Sequence, residues 1–152
     1  MDRRFTKLKE LNLQQNNLDD VIHEGHISGL SSLETMWLSD NSIAISANST
    51  WVPPSSLTDI VLISCLLGPK FPLWLKRPIH FYRLDISNTS ISKIVPDWFW
   101  ITASSVGLLM MGHNQLSGYL PSTMESMVSH KMDLRSNNFS GPIHKLPINL
   151  TD

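Results

Sequence analysis

Apolar positions recur along this chain in one fixed pattern: two stand either side of one intervening residue, and a third stands three residues ahead of them. A small polar residue follows three behind, with a last apolar residue two further on. LKELNLQQNNL places Leu8, Leu11, Leu13, Asn16 and Leu18 in it, and LETMWLSDNSI places Leu33, Met36, Leu38, Asn41 and Ile43. LTDIVLISCLL gives Leu57, Ile60, Leu62, Cys65 and Leu67, and FYRLDISNTSI gives Phe81, Leu84, Ile86, Thr89 and Ile91. Val106, Leu109, Met111, Asn114 and Leu116 follow, then Ser129, Met132, Leu134, Asn137 and Phe139. The first positions are 8, 33, 57, 81, 106 and 129, at intervals of 25, 24, 24, 25 and 23 residues, and a further partial repeat begins at Leu150. Self-similarity at such a period marks a repeat architecture, in which each unit buries its apolar face only against its neighbours. The alternating centre of each unit predicts a short strand with one face buried. Stacked about 4.8 Å apart, these strands form a parallel sheet.

The small polar column (Asn16, Asn41, Cys65, Thr89, Asn114, Asn137) falls where each strand turns. Such a turn leaves backbone groups without sheet partners. An inward amide satisfies both donors and acceptors, in its own repeat and the next, so the column reads as a structural ladder. Cys65 and Thr89 weaken it without breaking it. In later repeats an apolar residue then returns the chain to the core before a proline: Phe71-Pro72, Val95-Pro96 and Leu120-Pro121. Proline suits the first position of a short helical or 3₁₀ turn, where its missing N–H costs least. Gly118 and Gly141 allow tight turns after the strand. Trp74 and Trp98 read as plugs of the convex-side core. The first two repeats lack this proline signature.

The full grammar, L-x-x-L-x-L-x-x-N-x-L-x-G-x-[IL]-P, resembles the plant-type extracellular leucine-rich repeat. The wording of LSDNSIAISANSTWVPP, CLLGPKFPLWL, RLDISNTSISKIVPDWFW and NQLSGYLP is similar to ectodomains of plant receptor-like proteins, among them the group that senses a fungal xylanase. The expected fold is an α/β horseshoe: a leucine-rich repeat solenoid of about six repeats of 23–25 residues. Short parallel strands line its concave face, and 3₁₀ or irregular segments its convex side. Residues 1–152 are expected to form one such domain, an uncapped fragment. The resemblance implies a recognition module for defence or signalling with no catalysis. Its partners would be a protein or peptide ligand and a co-receptor kinase. Its setting would be the extracellular side of the plasma membrane, reached through segments absent from these residues. Three rival readings remain open: an inhibitor of a secreted cell-wall-degrading enzyme, the ectodomain of a receptor kinase, and a non-functional truncated copy.

Such solenoids bind through the exposed positions of the strand face. The central column is Asn12, Trp37, Val61, Asp85, Met110 and Asp133, and Ile63 lies in the column after it. Trp37, Val61 and Ile63 are expected to form one exposed apolar patch. Leu108 and Met110 form a second, with Arg83 and Asp85 between. These seven are the candidate ligand-binding residues. The mixed charges of Asp59, Arg83, Asp85, Lys131 and Asp133 read as a solvated face with cross-strand pairs. Glycan acceptors are Asn48, Asn88, Asn138 and Asn149, each in an N-x-[ST] triplet. Asn48, in a variable loop, is the best of them, and Asn88 is expected to be poorly accessible.

Composition removes other classes. The net charge is −1 and no Lys/Arg run exists, so a nucleic-acid footprint is missing. No apolar run reaches the roughly 18 residues of a membrane span, and the first residues carry no signal-peptide apolar stretch. Cys65 is the single cysteine, which leaves no intrachain disulfide and no zinc-type cluster. HEGH at 23–26 departs from H-E-x-x-H and shows no helical pattern, so no metal or cofactor is expected. No phosphate loop or nucleophile elbow occurs, and no catalytic residue is assigned.

Overall fold

The computed structural model describes residues 7–77 and 80–150. Its strands, in chain order, are β1 (Glu10–Asn12), β2 (Val21–Ile22), β3 (Thr35–Trp37), β4 (Ala44–Ile45) and β5 (Asp59–Val61). They continue as β6 (Arg83–Asp85), β7 (Leu108–Met110), β8 (Ser117–Tyr119), β9 (Lys131–Asp133) and β10 (Asn138–Ser140). The main sheet runs β1-β3-β5-β6-β7-β9, parallel throughout. Its register follows the sequence period: Leu11, Met36, Ile60, Leu84, Leu109 and Met132 stand side by side. The four central members of that column are buried, whereas Leu11 and Met132 at the two ends are half-buried. Each interior repeat is covered by two neighbours and each end repeat by one, as a one-dimensional stack requires.

The ladder is built, with its direction corrected. Amides bond within their own repeat and to the preceding one, not the next. Asn41 Nδ2 donates to Leu38 O at 2.9 Å and back to Leu13 O at 2.8 Å, while its Oδ1 accepts the Leu18 N–H at 3.2 Å. Asn137 repeats this with Leu134 O, Met111 O and the Leu116 N–H. Thr89 Oγ1 donates to its own Ile86 O at 2.8 Å and reaches Asn114 Oδ1 at 3.3 Å, but no carbonyl of the preceding repeat among the described residues, while Cys65 Sγ reaches Leu38 O at 3.4 Å. The carbonyl that Thr89 leaves behind, Leu62 O, accepts the Cys65 backbone N–H at 3.0 Å instead. Backbone therefore substitutes where the side chain is too short. The residue just before each ladder position, in all six repeats, is left-handed: Gln15, Asp40, Ser64, Asn88, His113 and Ser136 have φ between 54° and 63°.

The segment after the ladder holds a second row of parallel strands, which the sequence reading left as an irregular side. β2 pairs with β4 and β8 with β10, extended by bridges Ala44–Leu66 and Ile94–Ser117. Two or three residues per repeat are too few to show an alternation, so the pattern could not reveal it. The row is interrupted between Leu66 and Ile94. There Leu67 and Gly68 both donate to Thr89 O, at 3.1 and 2.9 Å, which draws the chain toward the next repeat. Gly68 lies so close to it that a β-carbon would stand 1.8 Å from Ser90 O.

The convex side follows its prolines. Pro72 precedes a 3₁₀ turn at Leu73–Lys76, Pro96 precedes a helix at Asp97–Thr102, and Pro121 is followed by a 3₁₀ turn at Met124–Ser126. Trp74 is buried and meets Trp51 edge-on at 5.3 Å; Trp98 is half-buried against Phe71 at 5.7 Å. Trp51 occupies the convex core of a repeat that has no proline signature. The reading of HEGH is also corrected: Glu24–Ile27 is a one-turn helix. It is closed by the His23 N–H donating to His26 Nδ1 at 3.0 Å, with the rings stacked at 5.9 Å. A single turn is too short for periodicity to report.

Candidate functional site on the concave face

The exposed columns of the main sheet lie in the register the sequence predicts. Trp37 pairs with Val61, Val61 with Asp85, Asp85 with Met110, and Met110 with Asp133. Leu108 stands between Arg83 and Lys131. Leu108, Met110, Ile63, Trp37, Arg83 and Asp85 are half-buried. Val61 is only 7% exposed, so the expected patch of Trp37, Val61 and Ile63 is not continuous. A short valine between in-register Trp37 and Asp85 is overshadowed by both.

Two adjoining concavities open on this face. One of about 250 Å³ is lined by Val61, Ile63, Arg83, Asp85, Leu108, Met110 and Lys131. The other, of about 420 Å³, shares Ile63, Asp85 and Met110 and adds Asn88, His113, Asp133 and Arg135. Every candidate ligand-binding residue except Trp37 lines one or both. Asn88, read only as a glycan acceptor, and His113 escaped the sequence reading as residues of this face. The signal that could have found them is the left-handed column, which turns those side chains toward the rim.

Of the expected cross-strand charge pairs, the described residues show one on this face: Arg83 Nε to Asp59 Oδ1, at 3.7 Å. Arg135 instead pairs within its own repeat, Nε to Asp133 Oδ2 at 3.2 Å. Asp85 Oδ1 accepts the Ser87 N–H at 3.0 Å, as Asp133 Oδ1 accepts the Arg135 N–H at 3.1 Å. These bonds fix both carboxylates on the strand surface. Ser39, buried just beyond β3, accepts the Ile63 N–H of the next repeat on its Oγ at 2.9 Å.

A further groove of about 420 Å³ lies where the second row of strands is interrupted, lined by Ala44, Leu66, Gly68, Phe71 and Trp74 among others. No sequence pattern announced it. Cys65 is 1% exposed, and burial first, then the Asp40 carboxylate, push its thiol up from about 9 to about 11. The fold favours the protonated thiol. Its contribution to stability is therefore complete below about pH 9 and is lost as pH rises toward 11. At pH 8 the native chain is expected to resist iodoacetamide, and urea is expected to restore labelling. Rapid labelling of the native chain would contradict that burial.

The four glycan acceptors are all exposed. For Asn88 this is a correction: its positive φ directs the amide outward, where Nδ2 donates to Ser64 Oγ at 3.0 Å. Asn48 Oδ1 accepts both the N–H and the hydroxyl of Thr50, at 2.9 and 2.5 Å, and its Nδ2 meets the Glu24 carboxylate. Among the described residues no group of three or more His, Cys, Asp or Glu is arranged to hold a metal ion, and no helix is long and apolar enough to cross a membrane.

Comparison with known proteins bears on this geometry. No family model matches the chain. Receptor-like protein EIX1 of Solanum lycopersicum is 40% identical over 134 residues, 88% of this chain. Receptor like protein 27 of Arabidopsis thaliana is 32% identical over 151 residues, 97% of this chain. Among solved structures, the plant peptide hormone receptor RGFR1 in complex with RGF2 superposes with a TM-score of 0.77 over 90% of this chain, at 23% identity. The chain is a leucine-rich repeat solenoid whose homologues are plant receptor-like proteins. These leucine-rich repeats span 13% of the EIX1 length and 22% of the RGFR1 chain.

Proposed function

We propose that this leucine-rich repeat unit is a recognition module of a plant cell-surface receptor-like protein, acting in defence or signalling and without catalysis. Its concave face would take a protein or peptide ligand. The observation that carries this reading is the pair of adjoining concavities in which Leu108 and Met110 sit among fixed charges on rigid strands. An apolar floor with a few oriented polar groups is the usual make-up of a binding site. The relatives' names and the peptide-bound solenoid support it. On this reading one domain of six repeats faces the extracellular side of the plasma membrane, carries glycans at Asn48, Asn88, Asn138 and Asn149, and works with a co-receptor kinase.

The test is a displayed random-peptide library panned against the immobilised chain. Buried central anchors commonly contribute about 2 kcal/mol or more. Met110→Arg, which fills the floor with a charge, is therefore expected to weaken the selected peptides at least about tenfold. Trp37→Ala, outside both concavities, is expected to change them less. Peptides that bind the Met110→Arg chain undiminished would place recognition elsewhere.

A further inference from the structure

The concave site also specifies the chemistry of its ligand; this step rests on the recognition reading above. Across β6, β7 and β9, one row reads Arg83, Leu108, Lys131 and the next reads Asp85, Met110, Asp133. Each row is thus interrupted at β7 by an apolar residue: basic residues flank Leu108 and acidic residues flank Met110. Arg83 is engaged by Asp59 and Asp133 by Arg135. Lys131 and Asp85 have no ion pair among the described residues, and they stand diagonally across β7. With strands about 4.8 Å apart and two residues advancing about 7 Å, their backbones are about 12 Å apart. That is too far for them to neutralise each other.

Asp85 decides the matter. It is half-buried, it lines both concavities, and its Oδ1 holds the Ser87 N–H. An apolar ligand seated on Leu108 and Met110 strips water from this carboxylate. Uncompensated, that desolvation opposes binding. A ligand that binds well must bring a cation to Asp85. Lys131, exposed on the far side, favours an anion there.

We propose that the site takes an extended peptide segment of the form acidic-x-apolar-x-basic, in either chain direction. In an extended chain, residues i, i+2 and i+4 share one face, and i to i+4 spans about 13 Å. The basic residue meets Asp85, the apolar one covers the Leu108–Met110 step, and the acidic one meets Lys131.

The experiment pans a display library of five-residue inserts, flanked by Gly-Ser, on the immobilised 152-residue chain. Enriched inserts are expected to carry opposite charges four positions apart around a central apolar residue. Asp85→Asn keeps the oxygen that accepts the Ser87 N–H, so the strand end is preserved and circular dichroism should be unchanged. It is expected to weaken those inserts at least about tenfold and to abolish selection for the basic residue. Inserts that lose binding with Met110→Arg yet show no charge pattern would overturn this inference and leave the concave-face reading standing. Inserts indifferent to Met110→Arg, or no enrichment over a blank scaffold, would overturn both.

Discussion

Replacing Asn114 by alanine is expected to cost about 3–4 kcal/mol, because it leaves the buried Thr89 and Ile91 N–H groups without partners, each worth about 1–3 kcal/mol. Asn114 is 8% exposed, and its Oδ1 accepts those two N–H groups at 2.9 and 3.3 Å. Its Nδ2 donates to Ile86 O in the preceding repeat at 2.8 Å and to Met111 O at 3.2 Å. Ile86 O keeps the Thr89 hydroxyl, so the carbonyl side loses less than the amide side. Stability in a solenoid is a sum of unit terms and nearest-neighbour terms. The loss falls on one junction, and the single urea transition is expected to split, with the last two repeats opening first. Hydrogen exchange at Thr89 and Ile91 reads this directly. Asn16→Ala is the control, since Asn16 is exposed and, among the described residues, its Nδ2 donates to Leu13 O and Gln14 O of its own repeat. It is expected to cost less than about 1 kcal/mol. Equal effects at both positions would mean that the ladder does not couple the repeats.

Phe99→Ala is expected to cost about 3–5 kcal/mol, the range for emptying an aromatic site in a packed core. Phe99 is 0% exposed, and its ring lies 4.8 Å from Phe71 and 5.9 Å from Trp100. Phe71 belongs to the preceding repeat, and Trp100 reaches toward Phe139 at 6.1 Å. One ring therefore ties the convex sides of several repeats together. The urea midpoint should fall with the near-ultraviolet tryptophan signal, because Trp98 and Trp100 lose an edge contact. Trp98→Ala, at a half-buried position, should fall short of this. If Phe99→Ala unfolds no more easily than Trp98→Ala, the convex cluster is not a core.

The main sheet was legible in the chain because each repeat spells it with five positions at fixed offsets. Register followed without ambiguity, since one slip would expose Ile60 or Leu84. The proline-led turns were legible for a similar reason: Pro72, Pro96 and Pro121 each fix one dihedral at a known place. The second row of strands, the helix at Glu24–Ile27 and the plug Trp51 were not legible. They span one to four residues each, below the length at which a period exists. Of the site, the columns were readable but exposure was not. Val61 and Asn88 show why: accessibility on a sheet depends on what the neighbouring strands carry and on the sign of φ. Among the described residues the expected charge group forms one cross-strand pair, Arg83 with Asp59, while Asp133 is taken by Arg135 of its own repeat rather than across the sheet.

The left-handed column limits the vocabulary available to the rim of the proposed binding face. A residue with φ near +55° costs roughly 1–2 kcal/mol unless it is Gly, Asn or Asp, and a side chain branched at Cβ is worse placed still. Gln15, Asp40, Ser64, Asn88, His113 and Ser136 are accordingly all unbranched at Cβ. Two of them, Asn88 and His113, border the larger concavity. New specificity along that border can therefore be drawn from amides, acids, serine, histidine or glycine, but not from valine, isoleucine, threonine or proline. Apolar selectivity has to come from the strand positions, and the rim supplies hydrogen bonding.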